Sequence, residues 1–341
     1  MRPRPRLSIV LATHNRREVV LRTLARIRAC GLDRAVYEII VVDNDSDDAT
    51  ADAVAVTADH VIRLPANRGS TAKAYGARLA RGDYLLFLDD DSYPAERSLE
   101  AMIERFDAHP RLGAAGFSVR LVDGGEEGGA LPSVFVGCGV GIRTSAYRQV
   151  GGLDRTFFMQ AEEYDLAFRL AARGWSVATF DDLQVTHEKS PQARRSERTT
   201  YFDIRNNLRV LARFVPSPYL SILLQDCLQR YRWLAARSGR VTSDEAGREA
   251  GLRHFDKERR RFAAWRLDDV SFEDFYRFGE VERRMRQLSA GGARRVLLVD
   301  LGKNVFPFIR AADRCGLQIV AIADDGFAGR ARMYRGVPIR P

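Results

Sequence analysis

The chain has 341 residues, 45% hydrophobic and 29% charged, which is ordinary for a globular protein and allows one large domain with a smaller one. No apolar run approaches the roughly 18 residues of a membrane span, so transmembrane anchoring is not expected. The four cysteines lie far apart without C-x-x-C spacing, which indicates free thiols rather than a disulfide framework or a zinc site.

The formal net charge of +9 is unevenly distributed along the chain. Residues 1–190 carry 24 Lys and Arg against 27 Asp and Glu, residues 191–290 carry 21 against 14, and residues 291–341 carry 9 against 4. The basic second half favours anionic partners such as lipid-linked phosphates, a membrane surface or nucleic acid, or else is a solvated arginine-rich helical face. The apolar run at residues 7–12 is too short for the core of a signal peptide, so we expect a cytoplasmic protein.

Short β-branched runs alternate with helical patterns in the first third of the chain. Both faces of each run are apolar, as in the buried strands of a parallel sheet. Residues 19–27 mark one helix face with Gly31 as its C-cap, and residues 71–80 form another crossover helix. The alternation predicts a β-α-β nucleotide-binding pattern. The predicted strands are residues 7–12, 37–43, 60–65 and 84–89.

Polar residues follow all four predicted strands. Ligands of open α/β sheets bind beyond the carboxyl ends of the strands, so these residues are the first candidates for a site. They are Thr13, His14 and Asn15, then Asp43, Asn44, Asp45 and Ser46, then Asn67, Arg68 and Gly69, and finally Asp89, Asp90 and Asp91.

The pattern changes after residue 111. Strands with Gly-rich connections come first, and a helix, a strand and a further extended segment follow. Residues 198–290 are helical in character, and residues 294–341 return to strand, helix and strand, the opening half of a second Rossmann-like unit. Before residue 198, the strands with Gly-rich connections occupy residues 113–154, the helix 163–175, the next strand 175–181 and the extended segment 183–189.

Three consecutive carboxylates end the fourth strand, at residues 89–91. They repel one another by roughly 1 kcal/mol or more per pair, so a counter-cation is needed, and Mg²⁺ or Mn²⁺ is a natural one. The alternative is a solvated acidic turn or the N-cap of the next helix. A Walker B element would need a matching phosphate loop, and the only Gly-Lys pair, Gly302-Lys303, is followed by Asn304.

Six ordered blocks carry a family resemblance over roughly residues 5–210. With these blocks the chain resembles the inverting family-2 glycosyltransferases, within them the rhamnosyltransferase-like and galactofuranosyltransferase-like members. The resemblance implies the GT-A fold, an α/β architecture with a Rossmann-like mixed sheet flanked by helices. The blocks are SIVLATHNR, EIIVVDNDSDDAT, LPANRGSTAKAYGARLARGDYLLFLDDDSYP, VGCGVGIRTSAYRQVGGLD, FFMQAEEYDLAFRLAARGW, and THEKS followed by YFDIRNN.

We therefore predict a GT-A domain over residues 1–210, a helical extension over 211–292 and a partial βαβ segment over 293–341. The last segment resembles the first half of the nucleotide-binding domain of sugar acetyltransferases, through VLLVDLGKN, AIADDGF and GVPI. Since only Gly302 of a dinucleotide fingerprint is present, no separate cofactor is expected there, and an oxidoreductase is a weak alternative.

The resemblance also implies roles for individual residues on the donor side. Asp43 resembles the residue that hydrogen-bonds the nucleotide base, with Thr13 and Asn15 in the same pocket. Arg68 resembles a nucleotide or pyrophosphate contact. Asp89 and Asp90 resemble residues that contact the ribose and the sugar. Asp91 and His187 resemble the ligands of a divalent cation, Mn²⁺ or Mg²⁺.

The position that matches the family's catalytic base is Glu163, where the family usually has Asp, and Glu162 is the alternative. A carboxylate within hydrogen-bond reach of the acceptor hydroxyl is what this role requires. The alternative is that the two glutamates have no catalytic role and simply begin a helix, where the helix dipole stabilises negative charge. The expected acceptor contacts are Asp165, Arg198, Tyr201, Arg205 and Asn206.

The implied function is metal-dependent, inverting transfer of a sugar from a UDP- or dTDP-linked donor to a glycan or lipid-linked acceptor in polysaccharide or cell-envelope synthesis. Peripheral contact with the inner membrane face through the basic second half fits this function, and nucleic acid is not an expected partner. Two alternatives stay open. One is a nucleotide-sugar-binding module without turnover, and the other is a nucleotidyltransferase, which would release pyrophosphate.

Overall fold

The computed structural model describes residues 4–189, 196–328 and 332–341. The chain forms two compact units. The first runs to Gly129, resumes at Ser133 and ends at Asn206, while the second comprises Ala130–Pro132 and Asn207–Pro341. The predicted boundaries at residues 210 and 292 stay predictions.

The first unit is an α/β structure. Its strands in the described chain are β1 (Leu7–Thr13), β2 (Tyr37–Asp43), β3 (His60–Arg63), β4 (Tyr84–Asp89), β5 (Ser92–Pro94), β6 (Leu112–Leu121), β7 (Glu126–Glu127), β8 (Gly139–Arg143) and β9 (Ser176–His187). Its helices are α1 (Arg17–Arg28), α2 (Thr50–Val54), α3 (Lys73–Leu79), α4 (Ser98–Ala108), α5 (Thr144–Gln149) and α6 (Glu162–Ala171), and α7 (Glu197–Phe214) includes the unit boundary.

The strand order within the described residues is β3-β2-β1-β4-β8-β6-β9-β5, with β7 paired to β6. The first four strands are parallel, as predicted, and β8 runs antiparallel to both β4 and β6. This mixed sheet confirms the predicted fold class. Because Thr13 pairs with Asp43 and Ala12 with Asp89, the polar ends of β1, β2 and β4 lie side by side.

The core of this unit explains why the four strand predictions succeed. Side chains of β1, β2 and β4 are almost completely enclosed, and those on one face pack against α1 and α4. A strand covered on both faces is mostly apolar, and the buried polar pair in these strands is satisfied internally, since the Ser8 hydroxyl of β1 donates to Glu38 of β2 at 2.6 Å. Apolar runs of four or five residues, at positions 9–12, 39–42 and 84–88, are the signature that the sequence shows.

Two predictions in the region of α6 and β9 need correction. The helix predicted over residues 163–175 ends at Ala171, because Gly174 adopts a left-handed conformation (φ 74°) and the Trp175 amide closes onto the Leu170 carbonyl. The prediction of separate segments at 175–181 and 183–189 was wrong. Both belong to β9, where a bulge between the pairs Phe117–Phe180 and Ser118–Gln184 absorbs the intervening residues.

The second unit begins with helices, as predicted, and ends with a small sheet of order β10-β11-β13-β12 in the described chain. The strand, helix and strand expected after residue 294 are present, and the turn-rich end adds β13, which runs parallel to β11. Across the described ranges, no helix has the length and apolar character of a membrane span. The elements are α8 (Ser217–Ser238), α9 (Val241–Arg253), α10 (Phe255–Arg261), α11 (Asp269–Phe275), α12 (Phe278–Ala290), β10 (Arg295–Val299), α13 (Phe306–Arg314), β11 (Gln318–Ala323), β12 (Met333–Tyr334) and β13 (Val337–Arg340).

Candidate active site

A cleft of about 210 Å³ opens at the carboxyl ends of β1, β2 and β4. Strand ends, the turn before α3, the segment before α6 and the start of α7 contribute to it. Among the residues to which the family resemblance assigns a role, Thr13, Asp89, Asp90 and Arg198 line it directly. The other lining residues are Ala12, His14, Arg16, Asn44, Asn67, Gly69, Ser70, Lys73, Phe158 and Met159.

Arg16 joins two members of the acidic triplet. One terminal nitrogen lies 2.6 Å from Asp90 Oδ1 and the other 2.9 Å from Asp91 Oδ2, while the Thr13 hydroxyl donates to Asp90 Oδ2 at 2.8 Å. Burial raises the pKa of Asp90 to about 6, although Arg16 and Thr13 oppose it. Burial also acts on Asp91, but hydrogen bonds from His187 and Arg16 outweigh it and hold the pKa at about 2.

Lys73 neutralises the third carboxylate of the triplet. Its ammonium, on a side chain only 5% exposed, donates to Asp89 Oδ1 at 2.5 Å and to the Gly137 carbonyl at 2.9 Å. Burial alone would lower the pKa of this lysine, yet Asp89 raises it above its ordinary value. Arg16 and Lys73 therefore supply the positive charge beside the three carboxylates that the sequence analysis expected from a metal ion. The repulsion within the triplet does not by itself require a metal ion.

His187 ends β9 and lies between two carboxylates. Its Nε2 is 3.1 Å from Asp91 Oδ1, its Nδ1 is 3.1 Å from Glu127 Oε2, and Cys138 Sγ is 3.6 Å from Nδ1. Burial lowers the pKa of this imidazole, but hydrogen bonds to Asp91, Cys138 and Glu127 raise it to about 12. Each ring nitrogen thus has a carboxylate oxygen 3.1 Å away, and which nitrogen donates depends on the protonation and tautomer of the ring.

Asp43 lies at the end of β2 and is 3% exposed. Its Oδ2 accepts a long hydrogen bond of 3.4 Å from the Ser46 amide, whereas Oδ1 is buried with no partner among the described residues. Asn15, in a left-handed conformation (φ 52°), accepts from the Asp47 amide at 2.8 Å. An orphaned buried carboxylate oxygen is costly, and a ligand donor is one way to satisfy it.

Asn44 fixes the turn that carries Arg68. Its Oδ1 accepts from the Arg68 amide at 2.7 Å, and its Nδ2 donates to the Gly69 carbonyl at 3.1 Å. The Arg68 side chain is exposed, and it is not among the residues that line the cleft. The sequence placed Asn44 among the candidate residues at the strand ends, but it did not indicate that Asn44 holds this turn.

The N-terminus of α6 is attached to the same cleft. Ser70 donates to Glu162 Oε1, while Glu162 Oε2 is buried without a partner in the described residues. Burial raises the pKa of Glu162, opposed by Ser70 and by the positive charge of Lys73. Glu163 follows on the first turn and is half-buried. Both candidate bases therefore begin a helix whose first carboxylate contacts the cleft-lining Ser70.

Asp165 does not reach the cleft surface. Its carboxylate is 0% exposed and pairs with Arg169 one turn along α6, and Arg169 also donates to the Val150 carbonyl. A carboxylate enclosed in this way cannot contact an acceptor. The structure thus indicates a structural role for Asp165 in place of the predicted acceptor contact.

The expected acceptor residues on α7 have different surroundings. Asn206 is fully buried, and its Nδ2 lies 3.0, 2.7 and 2.7 Å from the carbonyls of Phe157, Met159 and Gln160. Arg205 donates to the carbonyls of Thr156 and Phe157. These two residues fix the segment before α6, in which Phe158, Gln160 and Ala161 have positive φ.

Nearer the start of α7, Arg198 lies over the Phe158 ring at 4.2 Å and lines the cleft. Tyr201 is half-buried and packs edge-on against Phe202, with a centroid separation of 5.2 Å. Of the four candidates on this helix, Arg198 is the one that lines the cleft.

Sequence reasoning did not assign a role to five residues of the site. Arg16 follows directly on the polar end of β1, and Ser70 and Lys73 belong to the block after β3, so a search for cations and hydroxyls at strand ends would have found them. Glu127 and Cys138 come from the Gly-rich region and gave no local signal.

Two family models match the chain. Residues 8–147 match "Glycosyl transferase family 2", and residues 125–267 match "Glycosyl transferase family group 2". Together they extend over the strands that form the cleft and over most of the helices that follow.

Curated relatives include the succinoglycan biosynthesis protein ExoO of Rhizobium meliloti, 35% identical over 108 residues, which are 30% of this chain and 30% of that protein. The N-acetylglucosaminyl-diphospho-decaprenol L-rhamnosyltransferase of Mycobacterium tuberculosis is 39% identical over 54 residues, 16% of this chain and 18% of its own. The chain thus spans less than a third of the length of these relatives.

Solved structures share the fold. Mannosyltransferase PcManGT from Pyrobaculum calidifontis, in complex with GDP-Man and Mn²⁺, has a TM-score of 0.53 at 19% identity, covering 77% of this chain and 84% of its own. GalNAc-T7 with UDP, GalNAc and Mn²⁺ has a TM-score of 0.56 at 13% identity, covering 79% and 57%. Residues 1–349 of S. aureus TarS give 0.52 at 13% identity, covering 97% and 94%.

Proposed function

The chain belongs to glycosyltransferase family 2, and we propose that it transfers a sugar from a nucleoside-diphosphate sugar to a hydroxyl of a glycan or lipid-linked acceptor. The observation that carries the proposal is the link between Glu162 and Ser70 beside the Lys73–Asp89 pair, which connects the helix of candidate bases to the acidic strand end. Relatives named for succinoglycan biosynthesis and for rhamnosyl transfer support polysaccharide or cell-envelope synthesis as the setting.

The donor side is proposed to recognise a uracil or thymine base. The unpartnered Oδ1 of Asp43 accepts the imide N–H that both rings carry, which favours UDP- or dTDP-linked sugars. Thr13 and Asn15 complete this pocket, and Arg68 contacts the diphosphate. Asp89 and Asp90 hydrogen-bond the ribose and sugar hydroxyls.

Asp91 and His187 would hold a divalent cation, Mn²⁺ or Mg²⁺. Their Oδ1 and Nε2 atoms lie 3.1 Å apart, and a carboxylate oxygen together with an unprotonated imidazole nitrogen is a donor set that such an ion would accept. Two protein ligands leave positions for diphosphate oxygens, so the donor set fits. When bound, such an ion stabilises negative charge on the leaving diphosphate.

Glu163 is proposed as the general base, with Glu162 as the alternative. Glu163 takes the proton of the acceptor hydroxyl as its oxygen forms a bond to the anomeric carbon, and the bond to the diphosphate breaks on the opposite face. The configuration at the anomeric carbon is inverted. Glu162, enclosed against Ser70, positions the first turn of α6, on which the half-buried Glu163 follows.

Arg198 and Tyr201 are proposed to flank the acceptor, and Arg205 and Asn206 act by holding the segment before α6. The position of Arg198 in the lining of the cleft supports this assignment. The arginine-rich residues after position 190 provide charge for lipid-linked phosphate or for peripheral contact with an anionic membrane.

The experiment is to incubate the purified chain with Mn²⁺ and a panel of nucleotide sugars and lipid-linked or glycan acceptors. We expect nucleoside diphosphate release and a glycosylated product with inverted configuration. E163Q should lose transfer while it retains nucleotide binding, and E104Q, on the exposed face of α4, should retain both. Binding without transfer for any donor would indicate a binding module, and pyrophosphate release would indicate a nucleotidyltransferase.

A further inference from the structure

Strand β10 forms an open edge of the small sheet in the second unit. One side of β10 pairs with β11, and within the described chain no strand pairs with its other side. The side chains of Leu297 and Val299 on this strand are 54% and 78% exposed. An open edge that carries exposed apolar side chains is a template for pairing with another strand.

β10 has few of the features by which proteins prevent edge pairing. Its sequence, RVLLV, contains neither Pro nor Lys, and its charged residue is Arg295. The irregularity in the β10–β11 pair lies in β11, where Val320 is the extra residue between Ile319 and Ala321, which pair with successive residues of β10. Because β10 itself is regular, its outer side can accept a straight partner strand.

Hydrogen bonds at the two ends of β10 indicate which backbone groups face outward. The Gln318 amide donates to the Arg294 carbonyl, and the Asp300 amide donates to the Ala323 carbonyl, so both flanking residues face β11. Successive residues of a strand direct their N–H and C=O groups to opposite sides. The odd-numbered residues of β10 therefore direct theirs outward, and two antiparallel copies of β10 centred on Leu297 would pair all of these groups.

We propose that a second copy of this chain pairs with β10, antiparallel and across a two-fold axis at Leu297, so that the two small sheets become one. A two-fold axis makes each copy present the same surface to the other. Leu297 then lies beside its own counterpart, and Arg295 faces Val299 of the second copy. This inference is independent of the proposed transferase activity.

The charges that flank β10 are complementary in this arrangement. Arg294 precedes the strand and Asp300 follows it, so antiparallel pairing places each beside the other in the second copy. Neither forms an ion pair within the described residues, where Arg294 donates to the carbonyls of Ser289 and Ala293. Burial and the nearby Asp324 raise the pKa of Asp300, and a cation beside Asp300 relieves that repulsion. A lipid surface, in contrast, would leave the outward backbone groups unpaired.

The first test is sedimentation equilibrium of the full chain over a range of concentrations. We expect a monomer–dimer equilibrium that L297K weakens at least about tenfold, because like charges directly opposite each other repel. V270K, at a 72% exposed valine of α11, is the matched control and should leave the equilibrium unchanged. Equal weakening by the two variants would overturn the inference. A chain that stays monomeric would also overturn it, and monomers that bind phosphatidylserine vesicles less well as L297S would assign this surface to a membrane.

Oxidative cross-linking tests the register of the two strands. Directly opposite residues of a hydrogen-bonded antiparallel pair have Cα atoms about 5.5 Å apart, within the range of about 4.4–6.8 Å that disulfides span. L297C should therefore form a disulfide-linked dimer. V299C and its counterpart would be roughly 14 Å apart along the strands and should not cross-link, and the wild-type chain, whose cysteines are free, gives the background. A cross-link through V299C without one through L297C would overturn the proposed pairing.

Discussion

Lys73 and Asp89 form an ion pair in which the lysine side chain is 5% exposed and the aspartate side chain is 40% exposed. The pair joins the first residue of α3 to the last residue of β4. A buried ammonium is stable only with a close anionic partner. The pair therefore fixes the position of the turn before α3 relative to the acidic strand end.

We expect K73M to lower the free energy of unfolding by about 1–2 kcal/mol. Breaking a fully buried pair costs about 3–5 kcal/mol, and the partial exposure of Asp89 lets water stabilise the carboxylate left behind. Chemical denaturation measures the loss. The double variant K73M/D89N should recover part of it, and a double variant whose loss equals the sum of the two single losses would show that the pair is not coupled.

Position 69 must be glycine because the segment before α6, which contains Phe158, passes close to it. Its φ is +64°, and a Cβ added there would lie 2.2 Å from the Phe158 carbonyl oxygen. We expect G69A to cost at least about 1–3 kcal/mol of stability and to weaken nucleotide binding, because the turn and the segment must separate. G128A, which meets nothing within 4 Å, is the control. Equal unfolding midpoints for the two variants would contradict this account.

Asp43 should determine the choice of base. Replacing its carboxylate by an amide presents a donor as well as an acceptor, so D43N should weaken UDP binding by about 1–3 kcal/mol, or roughly 5- to 150-fold. Isothermal titration with UDP and with ADP measures both affinity and selectivity. D45N, an exposed neighbour on the same turn, should leave UDP affinity unchanged. If both variants bind UDP like the wild type, Asp43 does not contact the base.

Glu282 should make the second unit sensitive to acid. Hydrogen bonding to Arg314 of α13, together with Arg286, lowers the pKa of Glu282 below the ordinary 4.5. When the pKa of a carboxyl group is lower in the folded state than in the unfolded state, its ionised form stabilises the fold at pH values above the unfolded-state pKa. This stabilisation is lost as the pH falls through the folded-state pKa.

E282Q should therefore unfold at a slightly lower temperature than wild type at pH 7, with the difference shrinking as the pH falls below the ordinary pKa of 4.5. The effect is small, because exposed pairs contribute about 0–1 kcal/mol. E249Q, which removes an exposed glutamate whose partner Arg253 lies in the same helix, is the control for loss of a surface charge. Thermal unfolding across pH 3–7 checks the sign, and a difference that grows at low pH would contradict it.

The sequence by itself determined the parallel strands and the polar residues at their ends, because a strand buried on both faces is mostly apolar and ends in polar residues where it reaches solvent. It also indicated the helix that begins at the two glutamates, since acidic residues favour a helix N-terminus. Both signals are local, so one stretch of chain contains them completely.

Only the tertiary structure decided which cations neutralise the acidic triplet and which side chains surround His187. Arg16 and Lys73 reach Asp90 and Asp89 from other elements, and Cys138 meets His187 through the pairing of β8 with β4 and of β5 with β9. The cysteine spacing predicted free thiols, and the four cysteines are free, but the spacing gave no sign that Cys138 lies beside His187. Cys138 and His187 are 49 residues apart, and strand register, which is a long-range property, brings them together.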